Sequence, residues 1–136
     1  MADQADLYQQ IGQALVDELP EDGWESVKVT CYMVTVVTEF RGTLVRSGGE
    51  EDFTPPAATI YYPFKQLREE TYEPGKGAWF TATFRMSATG SFSIDYDYDS
   101  KPDLRPEPLD ETWFDDLETY PRDPELIPAW MPRPDR

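Results

Sequence analysis

Between Ser91 and Asp99 the chain reads SFSIDYDYD, bulky apolar residues alternating with small or acidic ones. A period of two is that of a β-strand, so Asp95, Asp97 and Asp99 share one face with successive carboxylates about 7 Å apart. Carboxylates in such a row suggest three chemistries. Hard cations take oxygen ligands, but a calcium loop turns on a glycine so that its ligands converge, and carboxylates along a flat strand do not. The paired carboxylates of a glycosidase stand at comparable separations, yet they come from different elements lining a cleft. The third is docking of a partner rich in Lys and Arg. Plain solvation of an outer strand face stands beside these, although Asp is a poor strand former and like charges on one face repel.

A second acidic group, Asp110-Glu111-Thr112-Trp113-Phe114-Asp115-Asp116, follows nearby. Acids around aromatic anchors suit an interface with a basic protein, in which Trp113 packs while Asp110, Glu111, Asp115 and Asp116 speed association. Anchoring an irregular segment to the core is the alternative use for Trp113 and Phe114.

Composition narrows the chemistry further. The 136 residues carry 27 Asp and Glu against 12 Lys and Arg, a formal net charge of −15, which repels nucleic acid and anionic membranes and attracts basic proteins. Histidine is absent and Cys31 is the only thiol, so His-based triads, His/Cys zinc sites and an intrachain disulfide are excluded. Gly48-Gly49 is an isolated pair in an acidic context and makes no phosphate loop. No catalytic, cofactor-binding or metal-binding residue is assigned. The polar start MADQADLYQQ lacks the pattern of a signal peptide and no run reaches the ~20 apolar residues of a membrane span, so a cytoplasmic protein is expected.

The elements that must position these acids read as follows. Leu7, Ile11, Ala14, Leu15 and Leu19 recur at helical spacing, with Asp3 or Asp6 as cap and Pro20 as stop. VKVTCYMVTVVTEF, residues 27–40, predicts one long strand, apolar on both faces; Arg41–Arg46 extends it or begins a hairpin partner. Residues 47–52 predict a polar loop, 58–62 a strand, and Pro63 the first turn of a short helix over 64–72. Trp79–Met86 alternates as the partner of SFSIDYDYD: with Ala88-Thr89-Gly90 as a three-residue loop, Ser87 pairs with Ser91, Met86 with Phe92, Phe84 with Ile94 and Ala82 with Tyr96. Phe92, Ile94, Tyr96 and Tyr98 then face the core, while Asp95, Asp97 and Asp99 lie opposite Thr83, Thr81 and Trp79. Eight of the thirteen prolines fall between Pro102 and Pro134, which predicts an irregular docked segment with helical turns near 110–117 and 123–130 and a frayed MPRPDR end. The fold class is α+β, an N-terminal helix packed on an antiparallel sheet with a Pro-rich C-terminal segment docked on it, all one 136-residue domain.

LYQQI, ELPEDGW, the helix FKQLRE, Trp79 and above all GSFSIDYDY together resemble the YezG-like immunity proteins, antitoxins that protect bacteria from the toxic C-terminal domains of secreted polymorphic toxins. The resemblance spans roughly residues 6–100, giving a family-like core over 1–100 and a Pro-rich acidic segment over 101–136. It implies a non-enzymatic cytoplasmic inhibitor of a cognate toxin domain. Toxins paired with similar proteins are nucleases, mostly DNases, often exported by type VII secretion, and a basic nuclease suits an acidic inhibitor. Asp95, Asp97 and Asp99 lie in the shared motif, in a docking or a structural role. The rivals are an immunity protein for an NAD-consuming toxin, an acidic DNA mimic, and a carboxylate enzyme with two buried acids.

Overall fold

A computed structural model describes residues 3–134, so the expected fraying of the MPRPDR end lies partly outside the described residues. The element order is α1 (Gln4–Glu18), β1 (Trp24–Val34), β2 (Val37–Arg46), β3 (Gly49–Phe53), α2 (Ala57–Glu70), β4 (Thr81–Ser87), β5 (Phe92–Asp97) and α3 (Asp110–Thr119), with a 3-10 turn at Pro124–Leu126. The five strands form one antiparallel sheet in the order β3-β2-β1-β4-β5. The α+β class with an N-terminal helix is therefore the fold of this chain.

Helix α1 starts where Asp3 accepts the Asp6 backbone N–H while Asp6 accepts that of Asp3, a reciprocal cap. Its Leu7, Ile11, Ala14 and Leu15 join Ile60, Phe64 and Leu67 of α2 against Val27, Val29, Cys31, Ala82 and Phe84 of the sheet. Gly12 lies over the sheet, where a Cβ would meet Met86 Sδ at 3.4 Å, about ordinary van der Waals contact. Cys31 is buried within this core, and burial pushes its thiol up, away from the reactive thiolate.

Three expectations are corrected. Residues 27–40 are not one strand: the chain reverses at Thr35-Val36, and Val34 pairs with Val37. Thr35 has φ 52°, unusual for a β-branched residue, and its N–H donates to the Asp116 carboxylate at 3.0 Å. A turn held by a partner 81 positions away leaves no local signature. The expected loop at 47–52 is a tight turn followed by β3, since acidic GEEDF makes an exposed edge strand whose charge discourages further pairing. The expected strand at 58–62 is the first half of α2, which runs through Pro63. Ile60, Phe64 and Leu67 form an i, i+4, i+7 stripe, and their burial outweighs both the β-branched flavour of the segment and the cost of an internal proline.

The β4–β5 pairing matches the expected register pair for pair, from Met86–Phe92 to Thr81–Asp97, with Gly90 at φ 96° closing the turn. It ends sooner than expected. Trp79 lies before β4 and is fully buried, stacked on Tyr96 at 5.6 Å, rather than outward opposite Asp99. Along the edge strand the inward residues grade from half-buried Ile94, Tyr96 and Tyr98 to Phe92, which is 48% exposed and only partly covered.

The Pro-rich segment builds a second core, where Leu104, Trp113 and Met131 pack with Val34 and Phe80. Phe80, Trp113 and Trp130 meet edge to face at 5.2–5.9 Å. Two buried arginines clasp it. Arg68 of α2 donates to both Asp116 oxygens, at 2.6 and 3.0 Å, and to the Trp79 carbonyl at 2.6 Å. Arg122 donates to the carbonyls of Tyr98 at 2.5 Å, Ala78 at 3.1 Å and Leu126 at 3.2 Å.

Candidate partner-binding surface

Because α1 and α2 cover one face of the sheet and the second core covers only the end near Tyr32 and Val34, the rest of the opposite face is lined by polar side chains in cross-strand rows. Thr83 stands beside Asp95 and Thr81 beside Asp97. Past the end of β5 the chain bends but stays on this side, so Asp95, Asp97, Asp99, Thr81, Thr83 and Lys76 line one shallow cleft of about 480 Å³. The structure thus brings the three aspartates together, as their spacing anticipates.

Their partners differ. Asp95 is three-quarters exposed and takes Arg85 Nη1 at 2.8 Å, an ion pair at the surface. Asp97 turns its carboxylate back on its own chain, accepting the backbone N–H groups of Asp99 at 3.0 Å and Ser100 at 2.9 Å. Partial burial works to raise its pKa, but those backbone donors outweigh burial and hold it below the usual carboxylate range. Asp97 therefore ends β5 as well as lining the cleft. Asp99 is exposed, with Arg122 Nη1 at 3.4 Å. Burial pulls the Arg122 guanidinium down from its ordinary value, and the Asp99 charge opposes this.

The second acidic group divides. Asp110, Glu111 and Asp115 are exposed on α3, the first two in its opening turn, where the helix dipole favours negative charge. Trp113 is 1% and Asp116 3% exposed, so neither offers a surface to a partner, contrary to their expected place among its contacts. Trp113 fills the second core and Asp116 neutralises Arg68. The helical period decides this, since 113 and 116 share the inward face of α3 while 110, 111 and 115 look outward. The apolar residue that does stand among the outward acids is Leu109, 75% exposed, in a cleft with Val37, Glu39 and Glu107. A second exposed apolar residue is Val36, at 74% exposure, in the turn between β1 and β2. Sequence reasoning missed both, because a lone Leu before a helix and a Val inside an apolar run carry no mark of exposure. The two acidic groups flank one layer: Trp130 packs on Trp113 and donates its indole N–H to the Asp99 carbonyl at 2.7 Å.

Among the described residues no group of three or more Cys, Asp or Glu is placed to hold a metal ion, and no helix is long and apolar enough to cross a membrane. An exposed acidic cleft on a sheet face, with apolar residues among acids beside it, can bind cationic side chains of another protein.

No curated protein matches the chain. Residues 48–125 match a family model described as immunity protein YezG-like, a stretch that begins at the β2–β3 turn and runs through β5, α3 and into the 3-10 turn. It passes residue 100 and takes in most of the Pro-rich segment, and it covers more than half of the 136 residues. This chain belongs to the YezG-like immunity protein family.

Proposed function

We propose that this immunity protein neutralises a basic nuclease toxin, DNase-like, by laying its acidic sheet face and the outward side of α3 over the toxin's substrate-binding surface. The observation that carries the proposal is the gathering of Asp95, Asp97 and Asp99 in one exposed cleft in a chain of net charge −15. A nuclease needs cations for phosphate, and those same cations are what carboxylates attract. Asp110, Glu111 and Asp115 extend the acidic field, with exposed Leu109 and Val36 as apolar contacts. Trp113 and Asp116 act beneath this surface, holding α3 in place. The protein acts by binding in the cytoplasm, not by catalysis, and the toxin is a secreted polymorphic toxin of the kind exported by type VII secretion.

Co-expression tests this directly. Cells making the C-terminal toxin domain encoded beside this protein should survive when it is present, and continued killing would end the proposal. Asn at Asp95 and Asp99, which leaves the Asp97 turn intact, should slow association about tenfold at low salt, a difference that shrinks as salt shortens the Debye length. Survival against a toxin that cleaves NAD rather than DNA would redirect the proposal to the second class of target.

A further inference from the structure

The same sheet face that is acidic at one end is cationic at the other. Lys28 of β1 and Arg85 of β4 are direct cross-strand partners, two like charges side by side on the outward face. Such a pair is unfavourable in a sheet. Arg85 is relieved by Asp95, but Lys28 forms no ion pair among the described residues, although most of the chain's Lys and Arg do. Around them lies a trough of about 520 Å³, lined by Ser26, Thr43 and Ser93 together with apolar Val45 and Phe92, and bounded on the β3 side by Glu50. Two cations among hydroxyl donors form a site for carboxylate oxygens. In so acidic a chain, Lys28 stands on an open face beside a second cation with no carboxylate of its own.

We propose that this trough receives a carboxylate-bearing segment of the toxin domain, so that the face recognises a partner with a basic group over Asp95 and Asp97 and an acidic group over Lys28 and Arg85. Resting on the immunity assignment above, it adds direction to the docking. Along the strands the Arg85 row lies two residues from the Asp95 row and four from the Asp97 row, about 7 to 13 Å at 3.3 Å per residue, and the partner's opposite charges must stand at a comparable spacing. A uniformly basic surface fits the acidic cleft but meets repulsion at the trough, which is a means of refusing wrong partners.

The probe is a capped tetraglutamate peptide titrated into the full chain at low salt and followed by amide NMR. Saturable shifts are expected at Ser26, Lys28, Thr43, Arg85 and Ser93, absent in Lys28→Gln and abolished by about 0.5 M salt, where the Debye length falls below about 5 Å. Capped tetralysine should instead shift Asp95 and Asp97. Lys28→Gln should melt no lower than the parent, since it removes a repulsion. Tetraglutamate that binds nowhere, or binds Lys28→Gln equally, overturns the proposal. With the toxin domain, Lys28→Glu should weaken binding at least tenfold; unchanged affinity in a protein that still protects cells refutes the trough while leaving the immunity assignment intact. Failure of the parent protein to protect refutes that assignment whatever the peptide does.

Discussion

Asp116→Asn replaces a carboxylate by a near-isosteric amide at a site only 3% exposed. The native carboxylate meets Arg68 through two hydrogen bonds, at 2.6 and 3.0 Å, and accepts the Thr35 N–H at 3.0 Å. Arg68 is itself 1% exposed, so removing its counter-charge leaves a guanidinium out of water with only neutral acceptors, the amide oxygen of the new side chain and the Trp79 carbonyl. Breaking one side of a buried pair costs about 3–5 kcal/mol. Against a total stability of roughly 5–15 kcal/mol that is a large fraction. For a chain of this length it corresponds to a fall in Tm of about 10–20 °C. Urea unfolding followed by far-UV circular dichroism and by tryptophan fluorescence measures it, with Trp113 and Trp130 reporting on the second core. The pair Arg68→Met with Asp116→Leu should recover most of the loss, because both charges then leave together. A loss below about 1 kcal/mol would show that water reaches the pair, and a double variant as unstable as the single one would assign the cost to packing rather than charge; either result refutes the reasoning.

Gly77 has φ 98°, and a Cβ there would lie 2.7 Å from Arg122 Cγ, so Gly77→Ala should displace Arg122 from the Ala78 and Tyr98 carbonyls and cost about 2 kcal/mol or more, read by the same denaturation. The Arg105 and Arg41 guanidiniums hold the exposed Asp103 carboxyl at about 2, below its value of ~3.9 in an unfolded chain. Its contribution to stability is therefore present above about pH 4 and fades as pH falls through about 2. Carboxyl carbon NMR should show that midpoint rising in Arg41→Gln, and an unmoved midpoint would leave Arg105 as its only cause.

Legibility in the sequence tracked the range of the forces involved. The β4–β5 register could be read because two alternating apolar sets must coincide and a one-residue slip would bury polar groups. The cap of α1 and its buried stripe were equally local. Residues 27–40 misled because Val34, Val36 and Val37 continue the β-branched run across a reversal, and residues 58–62 misled because Pro63 suggested a beginning where it stands in a middle. The aspartate row was visible as a candidate site, but Trp113 and Asp116 were grouped with their exposed neighbours because adjacency in sequence is not a shared face on a helix.

By itself the sequence determined the charge, the absence of His-based chemistry, the strand that carries Asp95 and Asp97, and the motif by which the family can be recognised. All of these depend on residue identity or on periods of a few residues. Only the tertiary structure decided which acids face outward, because that depends on Arg68 arriving from α2 to claim Asp116, on Asp116 in turn holding Thr35 in its turn, and on Arg122 pinning the end of β5. Those contacts join residues 24 to 81 positions apart, and the burial of a charge is settled by what arrives to neutralise it.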